Sequence, residues 1–461
     1  MELQSNPQLL WFIGIYAVLM IGIGIYMSKK VSNSQDFVLA GKSLGPLVLM
    51  GTLLATWTGS GSISGGETSV SYSFGIFPSF MLMIPTIIGI FILYIIAPKI
   101  RAFGKYTISG ILEEKYGTPA RNLASVIVIL AYVGIVSYQM TGLGFILNIT
   151  TGMSVELGTI IAAVLIIFLA MIGGLRSVSQ TDAISGFLMV GGLIITVPIV
   201  ISVAGGWDSI VANVPESHMT ATGGLTTIQL MGYLLPSLFL LLSDQNMYQR
   251  LAASKGDKSS KRAALSWLLV MLVISPAISI IAFASRSLFP DIDPGMALMA
   301  TTTALPLGVG GILLAAAAAF IITTGNSYLL SAATNMTYDI YGKYINKNPS
   351  DKKQLVMTKV FIVVLGAISY LLISYFPTVL EVQMYSYTVY GAGITPAILA
   401  VFFWKRVTAI GGISSMVAGV VVTLVWELVL NTPFELNSSV ISVPAAIIVL
   451  IAVSLATQKE K

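Results

Sequence analysis

Apolar residues run along the chain in blocks of about twenty, separated by short polar connections. At about 1.5 Å per residue, a helix of that length crosses the roughly 30 Å hydrocarbon layer of a bilayer. Thirteen blocks are predicted to do so, at approximately 9–27, 47–74, 76–97, 123–149, 155–172, 181–203, 227–250, 263–284, 308–336, 355–376, 384–404, 410–430 and 440–457. Two of them carry a polar interruption. The first is LLATWTGSGSISGGETS at 53–69; the second holds Gly232 and Pro236, followed by SDQNMYQR at 243–250. Glycine and serine let a helix unwind at mid-depth, and the freed N–H and C=O groups then need partners. A substrate, a sodium ion or water supplies them. The alternative is a small-residue face that lets two helices approach closely.

Composition narrows the class. Hydrophobic residues make up 56% and charged residues 9%, more apolar surface than a soluble chain can hide. There is no cysteine, hence no disulfide or thiolate chemistry, and His218 is the only histidine. A histidine-based metal site and a Ser-His triad are therefore not expected. The N-terminal MELQSNPQ has no basic run before its apolar block, so 9–27 reads as a retained span rather than a signal peptide. The basic isoelectric point, near 9.1, does not imply a nucleic-acid partner, because the basic residues sit in short loops between spans.

Those loops set an orientation. Lys29, Lys30 and Lys42 open the series, followed by Lys99, Arg101, Lys105, Lys115 and Arg121, and then Arg176. The later alternate loops carry Arg250 to Arg262, Lys343 to Lys359, Lys405 with Arg406, and the tail Lys459 and Lys461; only Arg286 falls on the other side. This predicts the N-terminus outside, the C-terminus in the cytoplasm and an odd number of spans. Without the first span and the last two (410–457), ten remain within one transmembrane domain, divisible as 47–203 and 227–404. Five spans in each half give an inverted repeat, and each half opens with an interrupted helix. Such pairs point to a midplane binding site.

Several residues are candidates for chemistry. Thr323, Thr324, Asn326 and Ser327 put four oxygen-bearing side chains on about one and a half turns. Such oxygens suit hard cations, although membrane threonines also bond back to their own helix. Asp182 opens the fifth repeat span as an intramembrane acid, or else caps a helix or pairs with Arg176. Glu67 can contact a cationic substrate group, carry a proton or cap the outer half-helix. Trp57 can offer a cation–π face or simply pack. Asp244 and Glu427 lie near helix ends, where Glu427 reads as structural. No nucleophile–base pair or metal cluster stands out, so an enzyme is not expected.

At these motifs the chain resembles the sodium/solute symporter family. The likeness spans nearly the whole sequence: FVLAGKSLGP (37–46), GGLRSVSQTD (173–182), DQNMYQR (244–250), the block 306–341 ending in DIY, and FFWKR (402–406). The resemblance implies an all-α polytopic membrane protein of 13 helices with a leucine-transporter-like 5+5 inverted repeat, one extra N-terminal helix and two extra C-terminal ones. It implies a sodium site built from the carbonyls of Ala55, Thr58 and Phe320 and the hydroxyls of Thr323 and Thr324. The family usually has alanine at Phe320, but the ligand there is a carbonyl. A second sodium in some members would fall on Asp182, Thr323, Asn326 and Ser327, with asparagine where a hydroxyl is common. The first-helix run ATWTGSGSISGGE (55–67) is most similar to the choline-transporter branch, which has a tryptophan of an aromatic cage at the position of Trp57. Asp244 and Ile135 occupy other cage positions, so the cage is incomplete.

The function so implied is sodium-coupled import of a small organic solute across the plasma (inner) membrane by alternating access, by a protein working as a monomer. The expected substrate lining is Trp57, Gly59, Ser60, Ser62 and Glu67, with Tyr138, Gln139, Phe239, Ser243, Asp244 and Gln245. An amino-acid-like or quaternary-ammonium solute fits best. The rival readings are a proton-coupled carrier using Asp182 or Glu67, and a solute sensor that does not transport.

Overall fold

The computed structural model describes residues 3–28, 39–105, 107–347 and 349–458. Lys29, Lys30, Lys459, Lys461 and the Arg176 side chain, all used above to set orientation, lie outside the described residues and side chains. Helices carry almost all of the described chain, and no β-sheet occurs among its residues. Lipid dictates this, because a spanning backbone must satisfy its own polar groups. Eleven helical segments are long and apolar enough to cross a membrane. Helix α1 (Leu9–Ser28) and the broken helix α2 (Pro46–Ser60 and Gly66–Phe74) bring the total to the expected thirteen.

The remaining elements follow in order. Helix α3 spans Ile76–Phe103 and is followed by the short surface helix α4 (Ile108–Tyr116), then α5 (Thr118–Thr151) and α6 (Val155–Val203). A short connecting helix, α7 (Trp207–Ala212), leads into α8 (Thr227–Ser243) and α9 (Gln245–Ala252). Helix α10 is Asp257–Leu288 and α11 is Ala297–Ala304. Helix α12 runs Leu307–Asn335 and continues as a wider coil to Ile345. The last four are α13 (Asp351–Leu372), α14 (Val379–Phe403), α15 (Ala409–Leu424) and α16 (Ser439–Ala456).

Two features depart from expectation. The spans predicted at 155–172 and 181–203 are joined by helical backbone, giving the single α6. A straight helix of 49 residues would be roughly 74 Å long, more than twice the bilayer. Its contacts with α12 run out and back instead: Ile166 lies on Gly325, Ala170 and Leu175 share a small cavity with Leu330 and Ser331, and the chain then returns, with Asp182 beside Thr323 and Gly192 on Leu313. The chain therefore doubles back, and α6 forms two arms along one neighbour. Asp182 sits inside this helix, so it is not an N-cap. The second difference is the position of the later break. Gly232 and Pro236 lie within α8, and the chain leaves the helix only at Asp244, whose φ −56° and ψ 118° are extended.

The interior helices are α5 and α14, each buried over 78% of its most apolar window, and α12 at 72%; α13, at 28%, faces lipid. The broken helix packs among the interior group. Gly51 permits the approach, since a Cβ there would stand 2.5 Å from the Ala183 backbone on α6.

Candidate functional site

The break in α2 is the centre of the site. Gly59 has φ −17° and ψ −152°, far from helical values, and Gly61–Gly65 form one wide turn before the helix resumes. Every residue from Leu49 to Tyr72 is buried. The freed backbone groups find side-chain partners, as a buried backbone requires. Gln139 accepts from the Ser60 N–H at 2.8 Å, and Gln383 Oε1 accepts from the Gly66 N–H at 2.9 Å. Ser64 donates to the Gly295 carbonyl at 2.7 Å.

One side of the break faces α12. The Thr324 hydroxyl donates to the Ala55 carbonyl at 2.9 Å and approaches the Thr56 carbonyl at 3.4 Å. A Cβ on Gly59 would stand 2.2 Å from Thr324 Oγ1, so only glycine fits there. Thr323 reaches the Asp182 carboxylate, and Phe320 is fully buried one turn earlier. Thr58 directs its hydroxyl to Met271 at 3.8 Å, and its carbonyl accepts from the Gly61 N–H. Carbonyl and hydroxyl oxygens form the donor set that an alkali cation takes.

The other side encloses a cavity of about 20 Å³, with room for roughly one water. Of the candidate lining residues, Trp57, Ser62 and Glu67 border it. Gln383, Tyr387, Thr86 and Ser237 join them, and sequence reasoning missed all four. The available signal was the polar run QMYSYT inside an otherwise apolar span. Trp57 and Tyr387 stack with centroids 6.2 Å apart, and Tyr138 donates to the Tyr387 hydroxyl at 3.3 Å. Ser275 donates to Glu67 Oε1 at 3.3 Å. Tyr138 backs the wall through Tyr387, and the other expected lining residues face elsewhere. Gly59 meets Thr324, while Ser60 and Gln139 bond each other between α2 and α5.

Phe239, Ser243, Asp244 and Gln245 lie outside this cavity, around the later break. Asp244 accepts from Tyr132 at 2.9 Å, from Tyr328 and from the Asn246 N–H at 2.7 Å. Tyr390 donates to the Ser243 carbonyl at 2.7 Å, and the Phe239 carbonyl accepts from Thr395. Gln245 bonds Asn335 at 2.7 Å and the Ile108 N–H at 3.0 Å. One carboxylate thus fastens together α5, α9 and α12, with α14 joined through Tyr390.

The second-ion set is also divided. Thr52 donates to Asp182, and Arg250 Nε donates to the same Thr52 hydroxyl at 3.0 Å. The Arg250 guanidinium stands 4.0 Å from Asp182 and holds Ser327 at 2.7 Å. Asn326 borders two other cavities, a small polar one with Arg250 and Ser327 and a larger apolar one with Thr323. Among the described side chains the partner of Asp182 is Arg250; the Arg176 alternative lies outside them. Glu427 is structural as expected, accepting from both the N–H and the hydroxyl of Ser438.

An all-helical bundle with a broken first helix, hard-oxygen donors on one side of the break and a polar cavity on the other defines an ion-coupled solute carrier. The chain belongs to the sodium:solute symporter family, whose model matches residues 37–419. Its relatives include the osmoregulated proline transporter OpuE of Bacillus subtilis, 26% identical over 439 residues covering 90% of this chain and 87% of the relative. The sodium/proline symporter of Staphylococcus aureus is 27% identical over 453 residues, covering 92% and 87%. Among solved structures, a Na+-coupled sialic acid symporter in its substrate-bound outward-open state superposes with a TM-score of 0.79. That match is 20% identical and covers 98% of this chain and 99% of the other, which establishes the shared leucine-transporter-like fold. The protein is a sodium-coupled solute symporter of the membrane and not an enzyme; Na+ is its coupling ion.

Proposed function

We propose that the carrier takes up a small solute bearing a positively charged amine or ammonium group, held between Trp57, Glu67, Gln383 and Tyr387. The observation that carries this reading is Glu67, a buried carboxylate that shares one cavity with the stacked Trp57–Tyr387 pair. A carboxylate and aromatic faces both attract a cation. The start of the outer half-helix at Gly66 is where an anionic group would otherwise dock. There, the Gln383 oxygen already occupies the N–H, and Glu67 adds a negative charge in the first turn. The relatives named for proline carry a solute with an ammonium group, which agrees with this class. The cavity is smaller than any such solute, so its walls must part to admit one.

We place sodium at the carbonyls of Ala55, Thr58 and Phe320 and the hydroxyls of Thr323 and Thr324. Thr324 already bridges α2 and α12, and a cation there would hold the two helices in one register. Sodium drives uptake only if it and the solute raise each other's affinity, and the membrane potential adds about 2.3 kcal/mol per charge per 100 mV. A second cation at Asp182 is disfavoured, because the Arg250 charge stands 4.0 Å away. The repeats are read as 47–203 and 227–404, with the N-terminus outside, in the plasma membrane, in a carrier that works as a monomer.

Thermal stability of the purified protein tests this with a panel of amino acids, quaternary ammonium compounds, sugars and carboxylates, in sodium and in potassium. An amine-bearing compound should stabilise the wild type in sodium alone. It should fail with Glu67→Gln, and the sodium preference should vanish with Thr324→Ala. Stabilisation by a sugar or a simple carboxylate that survives Glu67→Gln would overturn the substrate class.

A further inference from the structure

The start of the outer half-helix is where a broken-helix carrier can receive a solute carboxylate, because freed N–H groups and the helix dipole both face it. In this chain that place has a resident. Gln383 reaches in from α14, and its Oε1 accepts from the Gly66 N–H at 2.9 Å. Three glycines of the break make the slot for its amide. A Cβ on Gly65 would collide with Oε1, and a Cβ on Gly61 or Gly66 would stand 3.3 Å or 3.6 Å from Nε2. The Gln383 side chain also bonds Tyr387.

A second N–H of the break is taken in the same way. Gln139 on α5 accepts from the Ser60 N–H at 2.8 Å, while the Gly61 N–H stays with the carbonyls of Thr58 and Gly59. Each glutamine oxygen offers the backbone what one oxygen of a carboxylate would offer.

The charges lead to the same place. Glu67 borders the cavity and is only 6% exposed. Among the described residues no lysine, arginine or histidine borders it. One cationic group on the solute would make a neutral pair with Glu67. A zwitterion would add a second carboxylate beside Glu67, with no cation in the wall and with the Ser60 and Gly66 N–H groups already engaged. The negative faces of the Trp57 and Tyr387 rings would repel it as well. A buried ion without a partner is costly. The hydroxyls of Thr86 and Ser237 in the same wall suit a neutral polar group.

We propose that Gln383 stands in for a solute carboxylate, and that the solute is a monocation without one: an amine or quaternary ammonium compound whose other polar groups are neutral. Gln383 is then the residue that rejects amino acids, which share the ammonium group. The assignment rests on the amine reading above and narrows it.

The test uses the full-length protein in proteoliposomes, with transport currents recorded on a solid-supported membrane in sodium and in potassium. Two matched pairs are compared, choline with glycine betaine and pyrrolidine with proline. In sodium, the member without a carboxylate should reach half-saturation at a concentration at least tenfold lower. Gln383→Ala, which clears the slot, should cut that preference to threefold or less and admit glycine betaine and proline. Gln383→Asn, too short to reach Gly66, should do the same, and it serves if the alanine variant fails to fold. A preference that survives in the folded variants would overturn the role of Gln383. Equal or stronger wild-type responses to the carboxylate members, lost in Glu67→Gln, would overturn the exclusion and leave the amine reading standing. Currents from glucose and from none of the four compounds would overturn both.

Discussion

Gly59 and Thr324 meet with no space between them, and that contact fixes where α2 lies on α12. Gly59→Ala drives a methyl into the Thr324 hydroxyl, so it should cost about 1–3 kcal/mol, as overpacking does, and should also remove the sodium-dependent gain in melting temperature. Thr324→Ala should keep the fold and lower sodium affinity by tenfold or more, read from stability titrated with NaCl at constant ionic strength. Arg250 and Asp182 behave as a buried pair bridged by Thr52. Removing one partner of such a pair typically costs about 3–5 kcal/mol. Arg250→Met should be destabilising on that scale, and Arg250→Met with Asp182→Asn should recover part of the loss. Additive losses in the double variant would show that the two charges do not act together.

At the scale of elements, the end of the bundle at α4, proposed above as cytoplasmic, carries a charged clamp. Arg121 at the start of α5 pairs with Glu113 on α4 at 2.5 Å and with Asp339 beyond α12 at 2.7 Å, while Lys343 also pairs with Glu113. Partial burial pushes the Glu113 carboxyl up, but Lys343 and Arg121 outweigh it and hold it below its ordinary range. A carboxylate with a depressed pKa contributes stability above its unfolded value, near 4.5, and loses that contribution as the pH falls through the folded value. Arg121→Gln should therefore open the cytoplasmic side at neutral pH. A single cysteine at Asn335, in a chain that has none of its own, should then react faster with a water-soluble maleimide. Unchanged reactivity would remove the clamp from the gating cycle. The apolar blocks were legible in the sequence because hydrophobicity over twenty residues is a local property. So was the break in α2, where glycine and serine gather. The reversal inside α6 was legible as two spans but not as continuous helix, since which backbone joins the arms depends on their packing against α12. The later break falls within the SDQNMYQR run and not at Gly232 and Pro236, which are tolerated within α8, while Asp244 is held out of helix by tyrosines from α5 and α12.

Across the whole molecule, the segment between α6 and α8 folds over the end of α2. His218 makes a hydrogen-bond contact with the Tyr72 carbonyl at 3.1 Å, and its backbone lies against Gly75, whose φ of 102° ends the outer half-helix. Burial lowers the His218 pKa and the nearby Arg286 adds to this, against the favourable Tyr72 contact. A histidine held neutral in the fold stabilises above its unfolded value, near 6.5, and that contribution fades as the pH falls below it. Acidification from pH 7.5 to 5.5 should therefore loosen this cover and speed amide exchange across residues 204–226. His218→Gln should flatten the dependence. Single cysteines at Asn213 and at Lys258 should label from opposite faces of the membrane, with Asn213 accessible from outside. The reverse pattern would overturn the orientation.

The sequence alone determined the helical membrane class, the number of spans, the broken first helix and the oxygen-rich turn at 323–327, because each of these is written in neighbouring residues. It also determined the family, through ordered motifs spread over most of the chain. Only the tertiary structure decided which side chains share a site. Gln383 and Tyr387 close the cavity around Glu67 from more than 300 residues away. Arg250 stands 4.0 Å from Asp182, and Asp244 belongs to a tyrosine-bound break rather than to the cavity beside Glu67. Those pairings follow from helix register and crossing, which local hydrophobicity leaves free and close packing fixes.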